Sequence, residues 1–92
     1  MHGIRRIQYK ERFKKAYKKL DPRIQGEVDE TIEDLLKDVP PPGRQVKKMS
    51  GHHSPDIWEV RVTKNFRLTF ERDGDTAILR NVASHNLLHD NP

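Results

Sequence analysis

Three arginines, two histidines and a glutamate in the second half of the chain have the types and spacing for chemistry. Arg61, Arg67 and Arg80 each lie on a segment of alternating character: Ile57-Trp-Glu-Val-Arg-Val62, Phe66-Arg-Leu-Thr-Phe70 and Ala77-Ile-Leu-Arg-Asn-Val82. Paired as their turns suggest, Arg61 stands across from Arg67, and Arg67 across from Arg80. Like charges directly opposite on a sheet are destabilising, so such a row calls for an anion, and a phosphate backbone is the commonest one. Arginine can clamp nonbridging oxygens bidentately and keeps its charge. His85 and His89 follow the last segment, and histidine serves as general acid or base near neutrality. Glu59 shares the arginine face and can orient an arginine or act as a base. His52 and His53, in a polar loop, can supply a second acid, and Lys47 and Lys48 can attract a polyanion electrostatically.

Each of these residues has a plainer reading. Arg67 can be a solvated strand residue paired with Glu59 or Glu71. His52 and His53 can be loop polarity, and His85 a surface histidine. The basic pairs Arg5-Arg6, Lys14-Lys15, Lys18-Lys19 and Lys47-Lys48 can simply keep the surface soluble. The run His85-Asn-Leu-Leu-His89 has the i, i+4 spacing of a zinc-binding pair. It lacks the general-base glutamate of the metalloprotease motif, so no metal and no cofactor is expected.

The elements that must position these residues follow from periodicity. Trp58, Val60 and Val62 alternate with Glu59, Arg61 and Thr63, and Phe66, Leu68 and Phe70 with Arg67, Thr69 and Glu71. A period of two marks strands with one buried and one wet face. A three-residue turn at Thr63-Lys64-Asn65 pairs Val60 with Leu68, Trp58 with Phe70 and Arg61 with Arg67. Asp73-Gly74 is a two-residue hairpin signal that pairs Leu68 with Leu79 and Arg67 with Arg80, leaving Ile78 and Val82 on the arginine face. Upstream, Ile4 to Tyr9 reads as a strand. Lys10 to Leu20 reads as a helix with Phe13, Ala16, Tyr17 and Leu20 on one face. Asp21-Pro22 starts a second helix carrying Ile24, Val28, Ile32, Leu35, Leu36 and Val39, which Pro40-Pro41-Pro42-Gly43 stops. Gln45 to Met49 reads as a short edge strand. The order β-α-α-β-β-β-β is α+β: an N-terminal strand and helical hairpin packed on one face of a small, mainly antiparallel sheet.

Residues 1–92 make one domain, with 33% hydrophobic and 35% charged residues. The net charge of +4 suggests a polyanion or an acidic protein as partner. The chain has no cysteine, which excludes disulfides, thiolate metal sites and a cysteine nucleophile. It has no long apolar run to span a membrane and no signal-peptide core, so a cytoplasmic location is expected.

These segments together resemble the RelE/ParE superfamily of toxins from bacterial type II toxin–antitoxin systems. Met49-Ser-Gly51 is similar to the Leu-Ser-Gly before the family's central strand, and Asn65-Phe-Arg-Leu-Thr-Phe70 to its aromatic-Arg-Leu strand. Val82-Ala-Ser-His-Asn86 is similar to the segment that ends its last strand. The Ser-His-Asn-Leu-Leu-His run looks most like the YafQ C-terminus. The resemblance implies a ribosome-dependent mRNA endonuclease, an mRNA interferase, held inactive by a cognate antitoxin. The implied partners are that antitoxin, the ribosome and mRNA, with homodimerisation open. It places Arg61 where RelE has a catalytic lysine, Arg67 at the central-strand arginine, and His85 where YafQ-like and HigB-like members have a catalytic histidine. His89 falls where members often carry Tyr or Phe, and Asn86 replaces an aspartate found in many relatives. ParE members share the fold, lack the nuclease residues and act on DNA gyrase. A gyrase-directed toxin and a binding-only member are therefore the alternatives.

Overall fold

A computed structural model describes residues 3–49 and 56–92, apart from the side chain of His89. The chain runs β1 (Arg6–Tyr9), α1 (Glu11–Lys18), α2 (Pro22–Leu35), a single 3₁₀ turn at Pro42–Arg44, β2 (Lys47–Lys48), β3 (Ile57–Arg61), β4 (Phe66–Asp73), β5 (Thr76–Ser84) and α3 (His85–Asp90). The sheet order is β1-β5-β4-β3-β2, with β1 parallel to β5 and the other pairs antiparallel. This is the expected α+β arrangement, with the C-terminal segment, for which no element was expected, forming α3.

The alternating apolar residues of β3 and β4 face α1 and α2. Val60, Leu68, Phe70, Ala77 and Leu79 form one buried cluster with Phe13, Ile24, Val28 and Leu35. Burying a side chain of this size contributes about 1.5–3 kcal/mol, so this layer fixes which face of the sheet looks outward. Asp21 caps α2 as expected, its Oδ1 accepting from Arg23 N–H at 2.9 Å and Ile24 N–H at 3.1 Å. Tyr17 ties α1 to α2 by donating its hydroxyl to Asp29 Oδ1 at 2.9 Å. That bond to a carboxylate holds the Tyr17 pKa above its ordinary value.

α2 ends earlier than its apolar stripe implies. Leu36 is the C-cap residue, and 3₁₀-type bonds from Leu36 N–H to Glu33 O and Lys37 N–H to Asp34 O tighten the last turn. Leu36 and Val39 are consequently exposed, the latter by 74%. Asp34 then becomes an anchor. It pairs with Lys37 at 2.9 Å and accepts from Arg44 Nε at 2.7 Å, while Arg44 NH1 donates to Val62 O at 3.0 Å. The end of α2 is thereby clasped to the end of β3. Lys37 and Arg44 together hold the Asp34 carboxyl below its usual pKa.

The β3–β4 register is the expected one: Trp58 opposite Phe70, Val60 opposite Leu68, Arg61 opposite Arg67. The β4–β5 register is not. Asp73 pairs with Thr76, so the turn residues are Gly74 and Asp75, one position later than expected. Gly74 has φ +60°, and glycine at the first turn position is what a II′ hairpin requires. Phe70 therefore pairs with Leu79 rather than Ala77. A bulge follows: Thr69 pairs with Asn81, leaving Arg80 as the extra residue. That insertion switches the facing of everything after it. Val82 turns into the core at 2% exposure instead of lying on the arginine face, and Arg67 stands opposite Ala83, not Arg80.

Candidate active site

The outward face of the sheet is built by the alternate residues of its central strands. Glu59 on β3 is opposite Thr69 on β4, and Arg61 is opposite Arg67. β4 lies between β3 and β5, so its polar residues are walled on both sides, and Arg67 is only 9% exposed. Its NH1 donates to the carbonyls of Thr63 at 2.9 Å, Phe66 at 3.2 Å and Lys64 at 3.3 Å. The β3–β4 turn thus grips one end of the guanidinium. Arg67 Nε faces the other way, 3.8 Å from Glu59 Oε1.

Glu59, itself 6% exposed, is the centre of the site. Its Oε1 lies 3.7 Å from Lys47 Nζ, 3.8 Å from Arg67 Nε and 3.9 Å from His85 Nε2. All three separations exceed hydrogen-bond length, so a third group can bond to several of these side chains at once. Lys47 arrives because two-residue β2 pairs Lys47 directly with Glu59. His85 arrives because its N–H donates to Asn65 O at 2.8 Å, tying the first residue of α3 to the β3–β4 turn. Its side chain remains 52% exposed, accessible to a large ligand. Leu88 is buried outside the main core cluster, and α3 packs on β4 and β5. These contacts fix the helix that begins at His85.

The expected site residues therefore separate. Glu59, Arg67, His85 and Lys47 converge. Arg61 lies on the same face beside Arg67 and forms no ion pair among the described residues. Arg80 leaves the row: the bulge aims it at Glu71, to which its NH1 donates, while its Nε donates to Pro92 O at 3.4 Å. Glu71 also holds Lys10 at 3.4 Å, so Glu59 is not the only carboxylate of this face. Lys48 pairs with Asp56 at 3.3 Å, away from Glu59. His52, His53 and the side chain of His89 lie outside the described residues. The central place of Lys47 was missed in the sequence, although its position opposite Glu59 follows once Lys47-Lys48 is aligned antiparallel to β3.

No protein-family model matches the sequence, and no curated protein matches it. Solved structures do. A chain of the DinJ–YafQ toxin–antitoxin complex from E. coli superposes with a TM-score of 0.75 at 15% identity, over 92% of this chain and 97% of that one. A chain of the RelB–RelE antitoxin–toxin complex from Methanococcus jannaschii gives 0.67 at 24% identity, over 90% and 95%. The YoeB dimer from Staphylococcus aureus gives 0.70 at 13%, over 89% and 98%. The fold is that of the RelE-like toxins. The RelE-like fold spans nearly the whole chain, as the sequence segments led one to expect. No helix among the described residues is long and apolar enough to cross a membrane.

Proposed function

We propose that this chain is the toxin of a toxin–antitoxin pair and that it cleaves mRNA on the ribosome without a metal or cofactor. The observation that carries the reading is the meeting of Glu59, Arg67 and His85 around Glu59 Oε1, within 3.9 Å, from three separate elements. Metal-free RNA cleavage needs a base for the 2′-hydroxyl proton, cations for the charge gathering on the phosphorus oxygens, and an acid for the departing 5′-oxygen. Glu59 accepts the 2′ proton as the 2′-oxygen attacks phosphorus. Arg67, held by three carbonyls, presents the rest of its guanidinium to the nonbridging oxygens, and Arg61 adds charge beside it. His85 gives its proton to the 5′-oxygen as the phosphorus–oxygen bond breaks, leaving a 2′,3′-cyclic phosphate and a 5′-hydroxyl. Lys47 steers the backbone toward Glu59. The buried ionic core is preorganised, which is where such transition-state charge stabilisation originates.

The similar solved structures include complexes of toxins with antitoxins. A cognate antitoxin, acidic where it meets this basic face, fits the same reading. The test is a reconstituted translation reaction on a reporter mRNA, with breaks mapped by primer extension for the wild type and for His85→Ala. Breaks within the translated region that vanish in the variant are expected. Intact mRNA with the wild type would overturn the nuclease reading and make gyrase the next target.

A further inference from the structure

The C-terminal half of β5 has a neighbour on one side only. β1 stops with Tyr9 opposite Leu79, and Lys10 N–H donates to Leu79 O at 3.0 Å as the chain leaves for α1. Residues 81–84 pair with β4 alone among the described residues. Two hydrogen bonds give the direction of the amides there. His85 N–H points to the β4 side, to Asn65 O. Val82 N–H donates instead to the Asn81 side chain at 2.9 Å. Amides alternate along an antiparallel ladder, so Ala83 turns to β4, while Val82 and Ser84 turn their backbone groups to the open edge. Such an edge is a template for another strand. The opposite edge of the sheet is guarded: β2 is two residues long and both are lysine. Residues 81–84 carry no charge.

In front of this edge lies a groove of about 670 Å³. Beside the edge residues themselves, its apolar surface comes from Ala16, Leu20, Phe66 and Leu87, the last 62% exposed. Its charged lining is entirely cationic: Arg12, Lys15 and Lys19. Lys15 and Lys19 form no ion pair among the described residues, and Arg12 donates to Asn91 O. We propose that the open edge of β5 binds an extended acidic segment of a partner protein as an added strand, its apolar side chains in this groove and its carboxylates on the α1 cations. A protein backbone supplies alternating donors and acceptors for the edge groups other than the Val82 N–H, which the Asn81 side chain already satisfies, and apolar side chains match the groove. A polynucleotide backbone carries phosphate acceptors but no alternating amide donors and carbonyl acceptors at strand spacing. Naming that partner an antitoxin rests on the toxin reading; the edge and its groove do not. Ser84 and Leu87 flank His85, so an added strand lies beside the candidate site.

The probe is a synthetic peptide of about ten residues alternating Glu with Val or Leu, titrated into the ¹⁵N-labelled full chain. Saturable amide shifts confined to residues 80–87 and 12–20, with slowed exchange at Ser84, are expected. Affinity should fall about tenfold or more when alternate peptide amides are N-methylated, since the edge hydrogen bonds are then lost. The same loss is expected for Lys15→Glu combined with Lys19→Glu, and for Ser84→Pro. Ser84 has φ −61°, which proline adopts unstrained, and a melting curve verifies folding. Equal binding of the N-methylated peptide or of a Lys-alternating peptide overturns the proposal. So does the absence of saturable shifts at the edge with millimolar peptide, or a short RNA shifting these amides where the peptide does not. Peptide binding without mRNA cleavage would sink the nuclease reading alone.

Discussion

Glu59 and Glu71 stand on the same face of one sheet, and each gathers cations, yet one cluster is open and the other closed. Glu71 accepts directly from Arg80 and holds Lys10 at 3.4 Å, while Pro92 O takes Thr69 Oγ1 at 2.6 Å and Arg80 Nε. Its partners are used up on one another. Glu59 has Lys47, Arg67 and His85 at 3.7 to 3.9 Å, and its histidine is half exposed. A satisfied ion pair stabilises a fold; converging charges held just short of bonding are arranged for something else to enter. The difference is made by the backbone. The grip of the β3–β4 turn on Arg67 stops it from closing on Glu59, whereas the bulge frees Arg80 to reach Glu71.

The comparison breaks most visibly at His85. His85→Ala should lower the rate of mRNA cleavage by about 10²- to 10⁴-fold, the usual worth of a positioned general acid. The melting temperature should hardly move, because the ring is half exposed. Unchanged cleavage in the folded variant would mean the Glu59 cluster is only another structural ion pair. Glu59→Gln comes next, with a loss of about 10²-fold that falls on kcat rather than KM if the carboxylate acts on the bound 2′-hydroxyl. A loss confined to KM would make Glu59 a positioning group for Arg67.

The closed cluster should respond in the opposite sense. Glu71→Gln should leave cleavage within about twofold and cost about 1–3 kcal/mol of stability, as when a partly buried charged hydrogen bond loses its charge. Thermal melts and cleavage assays on the same preparation read both numbers. A cleavage defect as large as that of Glu59→Gln would show that the two clusters act as one site.

These two clusters also mark what could be read from the residues alone. Alternation in Trp58–Val62 and Phe66–Phe70 forced the β3–β4 register, because a slip by one would have buried Arg67 in the core. Arg67 and Glu59 were therefore legible as neighbours on the outward face, and His85 followed from its place after the last strand. Arg80 was not legible, for a local reason. Asp-Gly admits two turn positions, and a bulge leaves no mark in an apolar pattern when Leu79 and Val82 both remain apolar. Lys47 was legible as a phosphate-attracting residue but not as the neighbour of Glu59, since a two-residue strand has no periodicity. The clasp of Asp34 by Arg44 was invisible because its partners are separated by a proline-rich turn that follows no period.

Asp34 sharpens the comparison from a third side, with the smallest expected effect. Like Glu71 it is saturated, by Lys37 and Arg44, and its carboxyl is held below the usual carboxylate range. The unfolded chain therefore binds more protons than the folded one as pH falls through the ordinary aspartate pKa of about 4. The stabilisation is present above that pH and is lost as pH drops through the lower folded value. Asp34→Asn should thus cost about 1 kcal/mol near pH 7, and the gap to the wild type should close below about pH 4. Urea titrations at the two pH values measure it. Cleavage at pH 7 should be unaffected, because the clasp at the end of β3 does not touch Glu59. A loss of activity without loss of stability would show that the clasp positions Arg61 in the site, and that the open cluster extends to the end of β3.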